Sequence, residues 1–170
     1  MDYSKIGYHF GVLNRRSQAY ITYVCKPYDI TYSEYVILME LYLGDGVSQD
    51  ELVQRLTADK GLVARTSKSL EGKGFISRRQ DTADKRLKRL YLTTQGEALR
   101  HPLQEILQAW IEALREGLDE ETLATVIKGL EQIARKAATL DITHISTERK
   151  GTLHETEQIS GDNTGRSVTP

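Results

Sequence analysis

Thr31-x-x-Glu34 and Ser48-x-x-Glu51 each set a hydroxyl residue three positions ahead of a glutamate, at the head of an apolar stretch. At that spacing the hydroxyl accepts an early helical amide while the carboxylate reaches back to the hydroxyl residue's own amide, so each pair predicts a helix start. Ile30 with Tyr35, and Val47 with Leu52, stand where a hydrophobic staple needs them. The first helix stops at Gly44 and Gly46, and the second runs for about two turns through Leu56. Asp59 then caps a third, reaching about Lys73. Two short helices flanking the turn Thr57-Ala58 predict a helix-turn-helix over residues 48–73.

The third helix has two chemically distinct faces. At about 100° per residue, Val63, Thr66, Ser67 and Leu70 fall together and are expected to pack inward. Gly61, Ala64, Arg65 and Lys68 fall on the opposite side. Arginine and lysine there can donate to guanine edges or phosphates, and small Gly61 and Ala64 let a backbone come close. Lys60, nearer the boundary, suits a phosphate.

Beyond Gly72 and Gly74 the apolar period shortens. Phe75–Arg79 and Lys88–Leu92 read as two strands joined by a loop from Gln80 to Leu87, a wing beside the helix pair. The loop tip carries Asp84, Lys85 and Arg86. An arginine on a protruding hairpin suits a narrow minor groove, where negative potential concentrates. Asp84 would be repelled by phosphate, so it is expected to orient a nearby guanidinium.

Charge supports the same surface. The chain as a whole has a net charge of −1, yet residues 60–90 hold ten Lys/Arg against three Asp/Glu, and the remainder holds thirteen against twenty-one. A basic segment inside an acidic body points to a polyanionic partner, double-stranded DNA.

The run Asp84-Lys85-Arg86 through Leu92-Thr93-Thr94-Gln95-Gly96 resembles the Asp-x-Arg and Leu-Thr-x-x-Gly wing signature of MarR-type winged-helix transcriptional regulators. Asp59–Arg65 and Leu70–Ile76 are similar to that family's recognition helix and its exit, and the likeness spans roughly residues 5–140. It implies a mainly α fold with a small β-wing, the winged helix-turn-helix being flanked by N- and C-terminal dimerisation helices. It further implies a homodimer on a pseudo-palindromic operator, usually repressing, and released by a small-molecule or oxidant signal. The DNA-binding residues would be Lys60, Gly61, Ala64, Arg65, Lys68, Asp84, Lys85, Arg86 and Lys88, with Arg86 in the minor groove and Arg65 and Lys68 at the major groove.

The flanks fit dimerisation helices at about 5–26 and 94–138. Ile6, Phe10, Leu13, Ser17, Tyr20 and Val24 form a stripe that Pro27 ends. Thr94 and Glu97 are expected to cap a helix bearing Leu103, Ile106, Trp110 and Leu114, which Pro102 should kink or split. Asp119 caps a last helix with Val126, Ile127, Leu130 and Ile133 on one face. Residues 141–170, poor in apolar side chains, are expected to be a disordered tail.

Eight of the nine tyrosines lie within the first 42 residues. They fit either a core and dimer contact or the wall of an effector site, and no ligand residue is singled out. Cys25, alone and at a helix end, fits a small buried hydrophobe better than an oxidant sensor, although Lys26 would lower its pKa. One cysteine and four scattered histidines offer no metal-ligand spacing. No nucleophile–base pair or phosphate loop is present, so neither enzyme activity nor a cofactor is expected. Short apolar runs and an N-terminus unlike a signal peptide predict a cytoplasmic protein without membrane contact. A winged-helix module that binds an acidic protein instead of DNA is the alternative reading.

Overall fold

The structure, a computed structural model, describes residues 4–141. The tail expected from residue 141 lies outside the described residues except for Asp141. The chain divides into one unit through Leu118 and a second from Asp119.

In the first unit, α1 (Ser4–Val24) leads through a 3-10 turn (Lys26–Tyr28) to α2 (Tyr32–Leu43). Next come β1 (Val47–Ser48), α3 (Gln49–Leu56) and α4 (Lys60–Gly72). The hairpin β2 (Ile76–Gln80) and β3 (Lys88–Leu92) precedes α5 (Thr94–Ala98) and α6 (Arg100–Arg115). The second unit holds α7 (Glu120–Thr139). This is the mainly helical winged architecture expected from the sequence.

Both capping boxes form. Thr31 Oγ1 accepts the Glu34 amide at 3.3 Å while Glu34 Oε2 accepts the Thr31 amide at 2.8 Å. Ser48 and Glu51 do the same at 3.2 and 2.5 Å. Asp59 and Asp119 accept the amides of Leu62 and Thr122, at 2.8 and 2.7 Å. One cap lies a residue earlier than expected: Thr93, not Thr94, has the extended backbone of an N-cap, and its Oγ1 accepts the Gly96 amide at 3.0 Å. Glu97 is left to pair with Arg100. Pro102 splits the helix as expected, because without an amide it cannot bond the Ala98 carbonyl, and α5 ends there.

The sheet has order β1-β3-β2, all antiparallel, with Val47 opposite Leu90 and Ile76 opposite Leu92. The two-residue β1 was not foreseen; it fastens the start of α3 to the wing. Ile21, Cys25, Leu38 and Leu41 from α1 and α2 join Leu52, Val63, Leu70, Leu90 and Leu103 in one core beneath the helix-turn-helix. Close approach explains the glycine of the Leu-Thr-x-x-Gly run: a Cβ on Gly96 would stand 2.0 Å from the Phe75 carbonyl oxygen. Gly74, at φ +77, takes the left-handed turn that leaves α4 for β2.

The stripe on α1 divides along its length. Tyr20 and Val24 pack against the core beside buried Ile21 and Cys25, whereas Ile6, Phe10 and Leu13 are exposed. On α7, Val126, Ile127, Leu130 and Ile133 are 42–49% exposed.

Candidate nucleic-acid interface

Helix α4 is seated through the face assigned to it. Val63, Thr66, Ser67 and Leu70 are buried, Arg65 and Lys68 are exposed, and Gly61 and Ala64 lie between these extremes. Its C-terminal turn is fastened to α2: Ser69 Oγ donates to Glu34 at 2.7 Å, and Lys73 Nζ donates to Glu34 at 2.9 Å and to the Asp29 carbonyl at 2.5 Å. Burial would raise the Glu34 carboxyl, but hydrogen bonds from Thr31, Ser69 and Lys73 outweigh it and hold the group below the usual carboxylate range. Lys73, part of the basic segment by sequence, is thus turned inward.

The wing holds a second polar chain. Arg89, on the central strand β3, pairs through Nε with the Asp81 carboxylate, and its Nη1 donates to the Gly46 carbonyl at 2.8 Å and the Glu51 carboxylate at 3.3 Å. Asp81 Oδ1 accepts the amides of Ala83 and Asp84 at 2.7 and 2.9 Å. The Arg89 guanidinium, followed by these amides, pulls the Asp81 carboxyl down to about 2. Gln80 closes the loop by donating to the Lys85 carbonyl at 2.6 Å.

Asp84 plays a different part from the one expected. Its carboxylate accepts the backbone amide of Arg86 at 2.9 Å, so it shapes the loop tip and does not clamp the guanidinium. A carboxylate two residues before the next amide closes a local turn more readily than it reaches a flexible side chain. The carboxylate–guanidinium brace of the wing is Asp81 with Arg89, residues eight apart that only the hairpin brings together.

Other cations in the segment divide between paired and free. Lys60 pairs with Asp50 at 2.7 Å. Arg78 Nε lies 2.9 Å from Glu71, within charge-pairing range but not aligned as a hydrogen bond. Arg79 lies over the Tyr91 ring. Among the described residues, Arg65, Lys68, Lys85, Arg86 and Lys88 join no ion pair and are all exposed. A recess of about 310 Å³ gathers Lys60, Arg86 and Lys88 with Ser48, Gln49 and Arg78. Another, about 400 Å³, brings Lys68 and Lys88 to Glu71, Arg78 and Gln80. Gly61, Ala64, Arg65, Asp84 and Lys85 line neither. Arg78, Gln49 and Gln80 were not anticipated there, although Arg78 belongs to the basic run.

A separate recess of about 900 Å³ opens between α1 and the N-terminus of α2, with Arg15, Thr22, Tyr23, Lys26, Asp29 and Tyr32 in its wall. Of the clustered tyrosines, Tyr23 and Tyr32 face it, whereas Tyr35 and Tyr42 are core residues and Tyr42 donates to the Gly96 carbonyl at 2.8 Å. Cys25 is completely buried, and burial pushes its thiol up to about 11, opposite to the lowering expected from Lys26.

The geometry agrees with relatedness to known proteins. The model of the MarR family matches residues 30–88. A MarR transcriptional regulator from Methanosarcina mazei Go1 is 31% identical, superimposes with a TM-score of 0.75, and is matched over 96% of its length and 79% of this chain. The chain belongs to the MarR family. Membership carries the general role of that family, transcriptional regulation. The regulator SarZ of Staphylococcus aureus (strain USA300) is 35% identical over 81 residues, 48% of this chain and 55% of SarZ. The chain thus spans little more than half the length of that relative. A MarR variant from E. coli, in complex with operator DNA, shares the fold at 23% identity with a TM-score of 0.69, over 78% of this chain and 99% of that one. Among the described residues, no helix is long and apolar enough to cross a membrane.

Proposed function

We propose that this MarR-family chain acts in the cytoplasm as a homodimeric repressor, binding a pseudo-palindromic operator in double-stranded DNA and leaving it when a small molecule binds. The observation that carries this reading is the sorting of cations. Lys73 and Arg89 are paired inward, while Arg65 and Lys68 on α4 and Lys85 and Arg86 on the wing stand free on exposed ground.

Arg65 and Lys68 address the major groove, with Gly61 and Ala64 permitting close approach. Arg86 enters the minor groove, flanked by Lys85 and Lys88 on the backbone, and Lys60 exchanges Asp50 for a phosphate. Asp84 contributes by folding the loop tip. The exposed apolar stretches of α1 and α7 supply the dimer contact. The effector enters the recess beside Arg15, Tyr23 and Tyr32. An oxidant signal through Cys25 is disfavoured by its burial.

The test is a salt titration of duplex binding. Several phosphate contacts require affinity to fall steeply with salt, with a log–log slope of roughly −0.9 per phosphate neutralised. Failure to bind duplex even at low salt overturns the proposal and leaves the protein-binding alternative. Footprinting of a selected operator should protect two half-sites about one helical turn apart, or a multiple of it.

A further inference from the structure

Arg89 belongs to the wing and to the basic segment, yet its guanidinium is spent inside the protein. Three acceptors from three parts of the chain converge on it: the Asp81 carboxylate at the loop's start, the Gly46 carbonyl ahead of β1, and the Glu51 carboxylate of the α3 capping box. Glu51 also holds the Ser48 amide at 2.5 Å, and Ser48 stands opposite Arg89 in the β1–β3 register. On the other side, Asp81 holds the Asp84 amide at 2.9 Å and Asp84 holds the Arg86 amide at 2.9 Å. A continuous polar chain therefore runs Ser48, Glu51, Arg89, Asp81, Asp84, Arg86. It begins at the N-terminus of α3 and ends on the backbone of the arginine at the wing tip.

We infer that Arg89, held by Asp81, is a positioning residue that fixes the wing tip, and with it Arg86, relative to the helix-turn-helix, and that it touches no DNA itself. The inference rests on the DNA-binding reading above and deepens it by separating two kinds of arginine in one hairpin. Lysine cannot replace Arg89, because a single ammonium does not present the flat fork that these acceptors occupy. The loop has little freedom left once this chain is made, since Leu87 also donates to the Asp84 carbonyl at 2.9 Å and Asp81 to the Leu87 carbonyl at 3.0 Å. Wing and recognition helix then meet the duplex in one fixed relation, without first paying the ordering entropy of a mobile hairpin.

Asp81→Asn gives the decisive sign. Removing an anion beside a basic surface strengthens DNA binding if charge alone matters, whereas loss of the brace weakens it. Duplex affinity at fixed salt, its salt slope, and amide exchange of residues 83–87 in the free protein are to be measured for Asp81→Asn, Arg89→Met and Arg86→Ala. The expected result for Asp81→Asn and Arg89→Met is a loss of affinity of about tenfold or more with the parent's slope, and exchange at 83–87 faster by about tenfold. Arg86→Ala should lower the slope by roughly one charge and leave exchange unchanged. The inference is overturned if Asp81→Asn binds as tightly as the parent or tighter, if Arg89→Met lowers the slope as Arg86→Ala does, or if exchange at 83–87 stays at the parent's rate. Should neither parent nor variants bind duplex, the DNA reading fails, and the exchange measurement alone decides whether Arg89 holds the wing.

Discussion

Glu34 Oε2 accepts the Thr31 amide at 2.8 Å and the Lys73 ammonium at 2.9 Å, so one carboxylate both starts α2 and fastens the end of α4. Glu34 is 1% exposed, and its side-chain partner Lys73 retains 24%.

Removing Glu34 leaves Lys73 with the exposed Asp29 carboxylate at 3.4 Å as its charge partner, and that pair and the partial exposure of Lys73 soften the penalty of losing a buried partner. Glu34→Ala is expected to cost about 2–4 kcal/mol of unfolding free energy, capping loss included, and Glu34→Gln less, since its carbonyl oxygen can still accept the Thr31 amide while its amino group donates to the Ser69 hydroxyl. Urea denaturation at neutral pH measures both.

The same carboxylate sets an acid dependence. Because its folded pKa lies below the unfolded value, its stabilisation is complete above the unfolded pKa and is lost as pH falls through the folded one. Glu51, Glu97, Asp81 and Asp119 are shifted in the same direction. The denaturation midpoint should therefore drop from about pH 5 downward, and Glu34→Gln should show a shallower drop than the parent. Equal pH slopes for the two proteins would remove Glu34 from the account.

Gly96→Ala brings a methyl group to the Phe75 carbonyl, a backbone atom that cannot swing away. A loss of about 3 kcal/mol is expected, the upper part of the range for overpacking. Thermal melts beside Gly129→Ala, where no neighbour lies within 4 Å, provide the contrast. The second variant should be neutral or stabilised.

Cys25, buried with its thiol at about 11, should react with Ellman's reagent only on unfolding. Peroxide at neutral pH should leave duplex affinity unchanged. Release of DNA by peroxide in the parent but not in Cys25→Ser would reverse this expectation.

If α7 contributes to the dimer, Ile127→Glu with Leu130→Glu should shift the protein toward monomer in sedimentation experiments while preserving its helical circular dichroism. An unchanged dimer would place the contact elsewhere.

The caps of α2, α3, α4 and α7 were legible because each depends on residues three apart, a relation the sequence displays directly. The inward face of α4 was legible for a similar reason, since one helical period decides it. Lys73 and Arg89 were not. Their composition says cation, but their role depends on carboxylates brought in from positions 34, 51 and 81 by packing and strand register. β1 escaped because two residues carry no periodicity, and the Thr93 cap because either of two adjacent threonines satisfies the pattern and only the backbone leaving β3 selects the first.

Trp110, the chain's one tryptophan, stacks on Tyr20 at 4.9 Å and donates its indole N–H to Ser17 at 2.9 Å. Its chromophore thus looks at the seam between α1 and α6, where both its ring and its N–H find their partners on α1. Emission excited at the red edge of indole absorption is a built-in optical gauge of that seam: events that loosen α1 from α6 should alter its colour and lifetime, while changes confined to the wing pass it unseen.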